Sequence, residues 1–226
     1  MDVSEALRSR RSTRAFEPDG LLLGREVLED LIFEATRAPS EFNLQPWRFL
    51  VVRDRERKQA LYDCCFKQEK IRQASALIVV CGDTRGWERA DKAAEELIET
   101  GYFDPGPAAQ PGQQSIQSAQ NDARALAERI KNTYLRDERA RIAMAYRNPA
   151  LVAMNLMLVA TERGIASCPI AGFSEPQLRR AFEIPDRFVP VVIIALGMPS
   201  LAMGRQPVKP RRPLFEVVYH EDMASW

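Results

Sequence analysis

Apolar positions along this chain fall into two regimes, one spaced for a helix face and one continuous enough for a buried strand. Their alternation lays out the predicted elements. Val3, Ala6 and Leu7 carry a short first helix, opened by Asp2 and Glu5 at the spacing of a capping box. Leu28, Leu31, Ile32 and Ala35 follow helical spacing with charges between them. Pro39 ends that helix, because a proline pushes the residue before it out of helical geometry. Trp47 to Val52 is apolar, aromatic and β-branched and predicts a strand, and Arg55 to Phe66 predicts a helix. Ala76 to Cys81 and Val189 to Leu196 show no polar alternation, the pattern of strands covered on both faces.

Elsewhere the pattern is looser. Residues 82–114 read as a variable insert or lid, with a helix over Ala90 to Glu99 and loop markers at Asp104-Pro105-Gly106-Pro107 and Pro111-Gly112. Ser118 to Arg141 is charged and helical. Asn148 and Pro149 predict an N-cap and first residue for a new helix over 150–163, almost wholly apolar from Leu151 to Val159 and stopped by Gly164. Ser174-Glu175-Pro176-Gln177 predicts another capping box, with Leu178, Ala181 and Phe182 behind it. Met198 to Trp226 holds four prolines and little periodicity, so 199–226 reads as an extended C-terminal arm. Strands and helices alternate without repeat or linker, which predicts a single α+β domain over 1–226 with a central sheet flanked by helices.

A chain of 226 residues is ample for a buried core. Its net charge of +1 argues against a general nucleic-acid binder, so basic clusters have to be judged locally. The four cysteines include no Cys-x-x-Cys, and His220 is the only histidine, which excludes a Cys/His zinc pattern and leaves buried, reduced thiols as the expectation. Ala150 to Ala160 is the best apolar stretch, about half of the roughly 20 residues a membrane helix needs. The start, Met1-Asp2-Val3-Ser4-Glu5, has no basic, apolar leader. These features predict a cytoplasmic protein without membrane or nucleic-acid partners.

Three short stretches and a basic run carry candidate chemistry. Arg10, Arg11 and Arg14 surround Ser12. Arg10 and Arg14 share a face if the helix persists, or flank Ser12 if the chain turns. Guanidinium forks match the oxygens of a phosphate monoester, and Lys209 and Arg211 could add charge from the far end, although each cation alone reads equally as a solvated surface charge. Pro39 to Pro46 predicts an irregular loop offering Ser40, Asn43 and Gln45, residues that also favour ordinary turn chemistry. Pro169-Ile170-Ala171-Gly172 predicts a small-residue bend between elements.

The ordered set Arg-x-Ser-x-Arg-x-Phe, Ala-Pro-Ser-x-x-Asn-x-Gln-Pro-Trp, Pro-Ile-x-Gly-Phe and a closing Leu-Gly-x-Pro with Lys-x-Arg-x-Pro resembles the FMN-dependent nitroreductase family, from about Glu5 to Val218. The resemblance implies a mostly antiparallel central sheet flanked by helices, in an intertwined homodimer with one FMN at each of two interface sites. It implies that Arg10, Lys209 and Arg211 hold the phosphate, with Arg11 beside them. Ser12 and, from the other subunit, Pro39, Ser40 and Asn43 would hold the ribityl chain and ring edge, with Gln45 in the same loop. Arg14 and Lys70 would stand near the pyrimidine end, with Lys67 where some relatives carry Asn. Pro169, Ile170, Ala171 and Gly172 would cover a ring edge, a backbone N–H of Ala171 or Gly172 reaching N5. Phe42, Tyr102 and Phe103 are the candidate substrate-stacking residues. The implied activity moves hydride from NAD(P)H to nitroaromatic or quinone acceptors by a ping-pong scheme in which the flavin does the chemistry, consistent with the lack of an obvious catalytic triad. A flavin-binding or flavin-processing protein with little turnover, a ring dehalogenase or dehydrogenase, and a phosphoanion binder without flavin are the alternatives.

Overall fold

The computed structural model describes residues 1–18, 20, 22–103, 116–203 and 208–221. The loop markers at 104–107 and 111–112 therefore lie outside the described residues. Four strands form one antiparallel sheet in the order β1-β2-β4-β3: β1 Trp47–Val52, β2 Ala76–Asp83, β3 Ala166–Ile170 and β4 Phe188–Gly197. Every residue of β2 is buried, as its unbroken apolar run predicts. Alternate residues of β2 feed two cores. Leu77, Val79 and Cys81 join one with α3 (Arg55–Cys64), α4 (Lys70–Gln73) and α8 (Glu175–Phe182). Ala76, Ile78 and Val80 join the other with α2 (Arg25–Ala35) and α7 (Glu138–Glu162). A third cluster links α5 (Ala90–Glu99), α6 (Ile116–Leu135), Leu44 and Met144. The first helix, α1, spans Val3–Ser9, and its Asp2 carboxylate accepts from Glu5 N at 2.7 Å.

The structure corrects four of the element readings. Asn148 and Pro149 do not open a helix but lie inside α7, which runs unbroken from Glu138. Proline has no N–H for the carbonyl four residues back, so the carbonyl of Ala145 is released from the helical ladder. That oxygen lies 1.7 Å from where a Cβ on Gly82 would be, so the helix backbone packs straight onto β2 only because residue 82 has no side chain. The interruption is thus absorbed by the sheet. Counted whole, α7 is long and apolar enough to cross a membrane by length and composition, unlike the shorter stretch read from the sequence; here its Val152, Leu156 and Ala160 are buried against the sheet and α2.

Second, Pro169 and Ile170 belong to β3 and pair with Ile194 and Ile193 of β4; only Ala171 and Gly172 form the bend. A strand of five residues containing a proline gives a weak pattern, and here the proline occupies an edge strand, the place where a missing donor is tolerated. Third, Ser174 precedes α8 but makes no side-chain capping bond; its N–H donates to Cys64 O at 2.8 Å instead. Fourth, the helix after β1 stops at Cys64, and Phe66 and Lys67 take left-handed backbone angles before the short α4, which the sequence pattern did not predict. The stretch read as 82–114 begins inside β2, at Gly82 and Asp83, and its helix matches Ala90–Glu99 as predicted.

Candidate functional site

Helix α1 ends at Ser9 and the chain becomes extended at Arg10, so Arg10 and Arg14 flank Ser12 and do not share a helix face. Ser12 forms a parallel bridge with Ser167 of β3, and Thr13 N donates to Ser167 O at 2.9 Å. This fastens the basic segment to the outer edge of β3. Among the described residues, three buried side-chain polar atoms have no hydrogen-bond partner, and two of them meet here: Arg10 Nη1 and Ser167 Oγ. Leaving such a donor and hydroxyl unmatched costs roughly 1–3 kcal/mol each, so the segment is built for a group that accepts from Arg10. Both residues line a cleft of about 710 Å³. The cleft also reaches Arg8, Asp2 and Glu5 of the α1 region, but it stops at Ala166 and Ser167 and does not extend to Gly172.

The other cations divide by role. Arg11 turns its guanidinium back onto the carbonyls of Arg8 and Arg10, capping the end of α1, and Arg14 is exposed. Lys209 and Arg211 are exposed on the arm, where Arg211 Nη1 donates to Lys209 O at 3.0 Å; no described contact brings them to Arg10.

Beyond β3, Ala171 and Gly172 are exposed, and a residue the sequence reading left without a role holds their bend. Gln68 Nε2 donates to Gly172 O and to Cys65 O, both at 2.9 Å, tying the turn between α3 and α4 to the end of β3. Lys67 and Lys70 therefore stand beside the bend, Lys67 exposed and Lys70 half-buried. The only advance signal for Gln68 was an amide set between two lysines.

The loop over 39–46 lies at the opposite edge of the sheet, leading into β1. Three strand-to-strand steps of about 4.8 Å separate β1 from β3, so Ser40 and Asn43 lead into the strand at the edge opposite the one that holds Ser12. The loop is strained: Phe42, Asn43 and Gln45 have φ of 52°, 54° and 47°. Its conformation is held by Glu41, which had no predicted role. The Glu41 carboxylate accepts from Tyr134 Oη, from Arg147 Nη2 at 2.9 Å and from Asn148 Nδ2 at 3.4 Å, while Glu41 N donates to Asn148 Oδ1 at 2.9 Å. Burial, followed by the hydrogen bond to Glu41, pushes the Tyr134 phenol well above its ordinary pKa. Ser40 Oγ accepts from Gln45 N at 3.0 Å, and Pro39 is exposed.

The three predicted stacking residues converge. Phe42, Tyr102 and Phe103 line one cleft of about 640 Å³ with Ser40, Asn43 and Arg129 of α6. The rings of Tyr102 and Phe103 meet edge to face at 5.3 Å between centroids. Nothing in the sequence pattern set Arg129 apart from the other charges of α6.

One sheet edge thus presents an unmatched guanidinium and exposed backbone amides, the other a strained polar loop beside an aromatic cleft. The two edges therefore offer different chemistry, an anion-seeking N–H at one and flat apolar walls at the other. The sequence profile of the Nitroreductase family matches residues 7–198, and the chain belongs to that family of oxidoreductases. The NADH dehydrogenase of Thermus thermophilus is 32% identical, with 88% of each chain covered. YodC of Bacillus subtilis, named among the NAD(P)H nitroreductases, is 30% identical over 85% of this chain and 87% of its own. A nitroreductase structure from Exiguobacterium sibiricum in complex with FMN is 28% identical and superposes with a TM-score of 0.81, covering 98% of both chains.

Proposed function

We propose that this protein is an FMN-dependent oxidoreductase that uses NAD(P)H to reduce nitroaromatic or quinone acceptors in a ping-pong sequence, both ligands using the same place in turn. The observation that carries the reading is the buried, unpaired Arg10 Nη1 beside the unpaired Ser167 Oγ, at the junction of the basic segment and β3. A phosphate oxygen satisfies both the charge and the missing acceptor. When bound, FMN supplies acceptance and donation of hydride. The chain's own residues bind and orient it. Arg10 holds the phosphate end, joined by Lys209 and Arg211 from the arm, Ser12 holds the ribityl chain, and Arg11 shapes the turn through its carbonyl contacts. Arg14, Lys67 and Lys70 set positive charge near the ring, and the exposed amides of Ala171 and Gly172, after Pro169 and Ile170, present donors to its edge. Fixed cations and N–H dipoles that need no reorganisation favour charge developing on a bound ring.

Pro39, Ser40, Asn43 and Gln45 would serve the site of a second copy, because they stand at the wrong edge to serve their own. Two further features support a homodimer. Leu7 of α1, Phe33 of α2 and Leu151 of α7 are exposed apolar residues, and on the arm Leu214 and Phe215 are 76% and 80% exposed. Apolar side chains of this size and number are covered most simply by a partner. Tyr102 and Phe103 would form a selective wall. Four buried, free thiols fit a cytoplasmic compartment.

The test is an absorbance spectrum of the purified protein, followed by steady-state oxidation of NADH and NADPH with menadione and a nitrofuran. A flavin band with turnover is expected. A colourless protein that gains no flavin band on addition of FMN would refute the reading.

A further inference from the structure

The aromatic cleft beside the loop over 39–46 carries a charge that the proposed function does not use. The guanidinium carbon of Arg129 stands 5.6 Å from the centroid of Phe42, and among the described residues Arg129 makes no ion pair. Its neighbours are neutralised: Arg89 pairs with Glu96 at 2.8 Å, Lys131 with Asp91 at 2.7 Å and Arg147 with Glu41 at 2.9 Å. A guanidinium stacked on a ring face keeps its in-plane N–H edge free for a carboxylate. Asp122 also lines the cleft, but it lies two turns earlier on α6, about 10 Å away along the axis. The cleft therefore carries an unpaired positive charge beside Phe42.

We propose that Arg129 selects the acceptor, favouring planar aromatic substrates that bear an anionic substituent such as a carboxylate. The substituent bonds to Arg129, and the ring lies among Phe42, Tyr102 and Phe103. This rests on the reading above, in which Ser40 and Asn43 bring the same cleft to the cofactor of a second copy. The aromatic walls accept any flat ring, so discrimination by charge must come from Arg129.

The experiment uses the FMN-loaded protein and two acceptors of nearly equal shape, 4-nitrobenzoate and its neutral counterpart 4-nitrobenzamide. The readout is the ratio of their kcat/KM values. Arg129→Gln should lower that ratio about tenfold, the size of one partly exposed charge-assisted bond, mainly through KM for the nitrobenzoate. Arg129→Glu should lower it further. A ratio that is the same in the parent protein, Arg129→Gln and Arg129→Glu, with both acceptors turned over, would overturn the assignment while leaving the oxidoreductase reading intact. A protein with no flavin band and no turnover of either acceptor would remove both. Near-UV circular dichroism of each variant establishes that the exposed substitutions leave the fold in place.

Discussion

At the β1 edge a carboxylate, a phenol, a guanidinium and an amide complete one another around Glu41, whereas at the β3 edge Arg10 and Ser167 bury polar atoms that no described residue meets. Both edges belong to one sheet and both hold family motif residues. The first is strained in its backbone yet gives the Glu41 carboxylate three donors; the second is relaxed and leaves Arg10 Nη1 and Ser167 Oγ unmatched among the described residues. A loop that must present itself to another molecule has to be held by its own chain, while a pocket for a bound anion leaves its bonds for that anion to make. That difference fits the proposed division of the site into a presenting half and a receiving half.

The strongest way to break the comparison is to remove the frame common to both edges. Gly82→Ala places a methyl group 1.7 Å from Ala145 O, a clash with helix backbone that no rotamer relieves. It should cost more than about 3 kcal/mol by lifting α7 off β2, seen as a lowered urea midpoint, and should disable both edges together. A change at one edge should act on that edge alone. Glu41→Ala leaves the Tyr134 Oη without its acceptor and Arg147 without its carboxylate partner, and should lower the stability of flavin-free protein by roughly 1–3 kcal/mol, with Glu41→Gln recovering part of it.

Arg10→Ala should behave in the opposite sense. Because Nη1 has no partner among the described residues, its removal should not lower flavin-free stability and should raise it by as much as the unmatched donor costs, while FMN affinity should fall by roughly 1.5–3 kcal/mol, measured by titration of the stripped protein. If Arg10→Ala destabilised the flavin-free protein as much as Glu41→Ala does, the distinction between the halves would be lost.

The smallest effect concerns the core that both edges share. Burial raises the Cys65 thiol from 9.0 to about 12 and the Cys81 thiol from 9.0 to about 11. Thiols that stay protonated in the fold while ionising in the unfolded chain contribute stability that is complete below pH 9 and lost as pH climbs toward the folded values. Denaturant unfolding at pH 8 and pH 9.5 should differ by about 1 kcal/mol, the higher pH being weaker. Replacing both residues with alanine should remove most of that difference.

Much of this arrangement was legible in residue order. The runs in β2 and β4 declared themselves because strands covered on both faces leave no place for polar residues, and Ala90–Glu99 did so through helical spacing. Helix α7 was misread because Asn148-Pro149 is a good local start signal, and only packing against Gly82 shows that the helix continues. Strand β3 stayed hidden because Ala-Ser-Cys-Pro-Ile has neither length nor apolar continuity, and its pairing partner lies more than 20 residues away. The site motifs were legible as residue types. Glu41, Gln68, Ser167 and Arg129 were not, since a lone polar residue acquires a role only from what folding sets beside it.

By itself the sequence determined the two buried strands, several of the helices and the family, because these rest on local pattern and on motif order. Only the tertiary structure decided that the basic segment is fastened to β3, that Arg10 is left without a partner, and that the loop over 39–46 stands three strands away. Those facts depend on which strands become neighbours, and strand order is set by the packing of both sheet faces at once, a property no single segment carries.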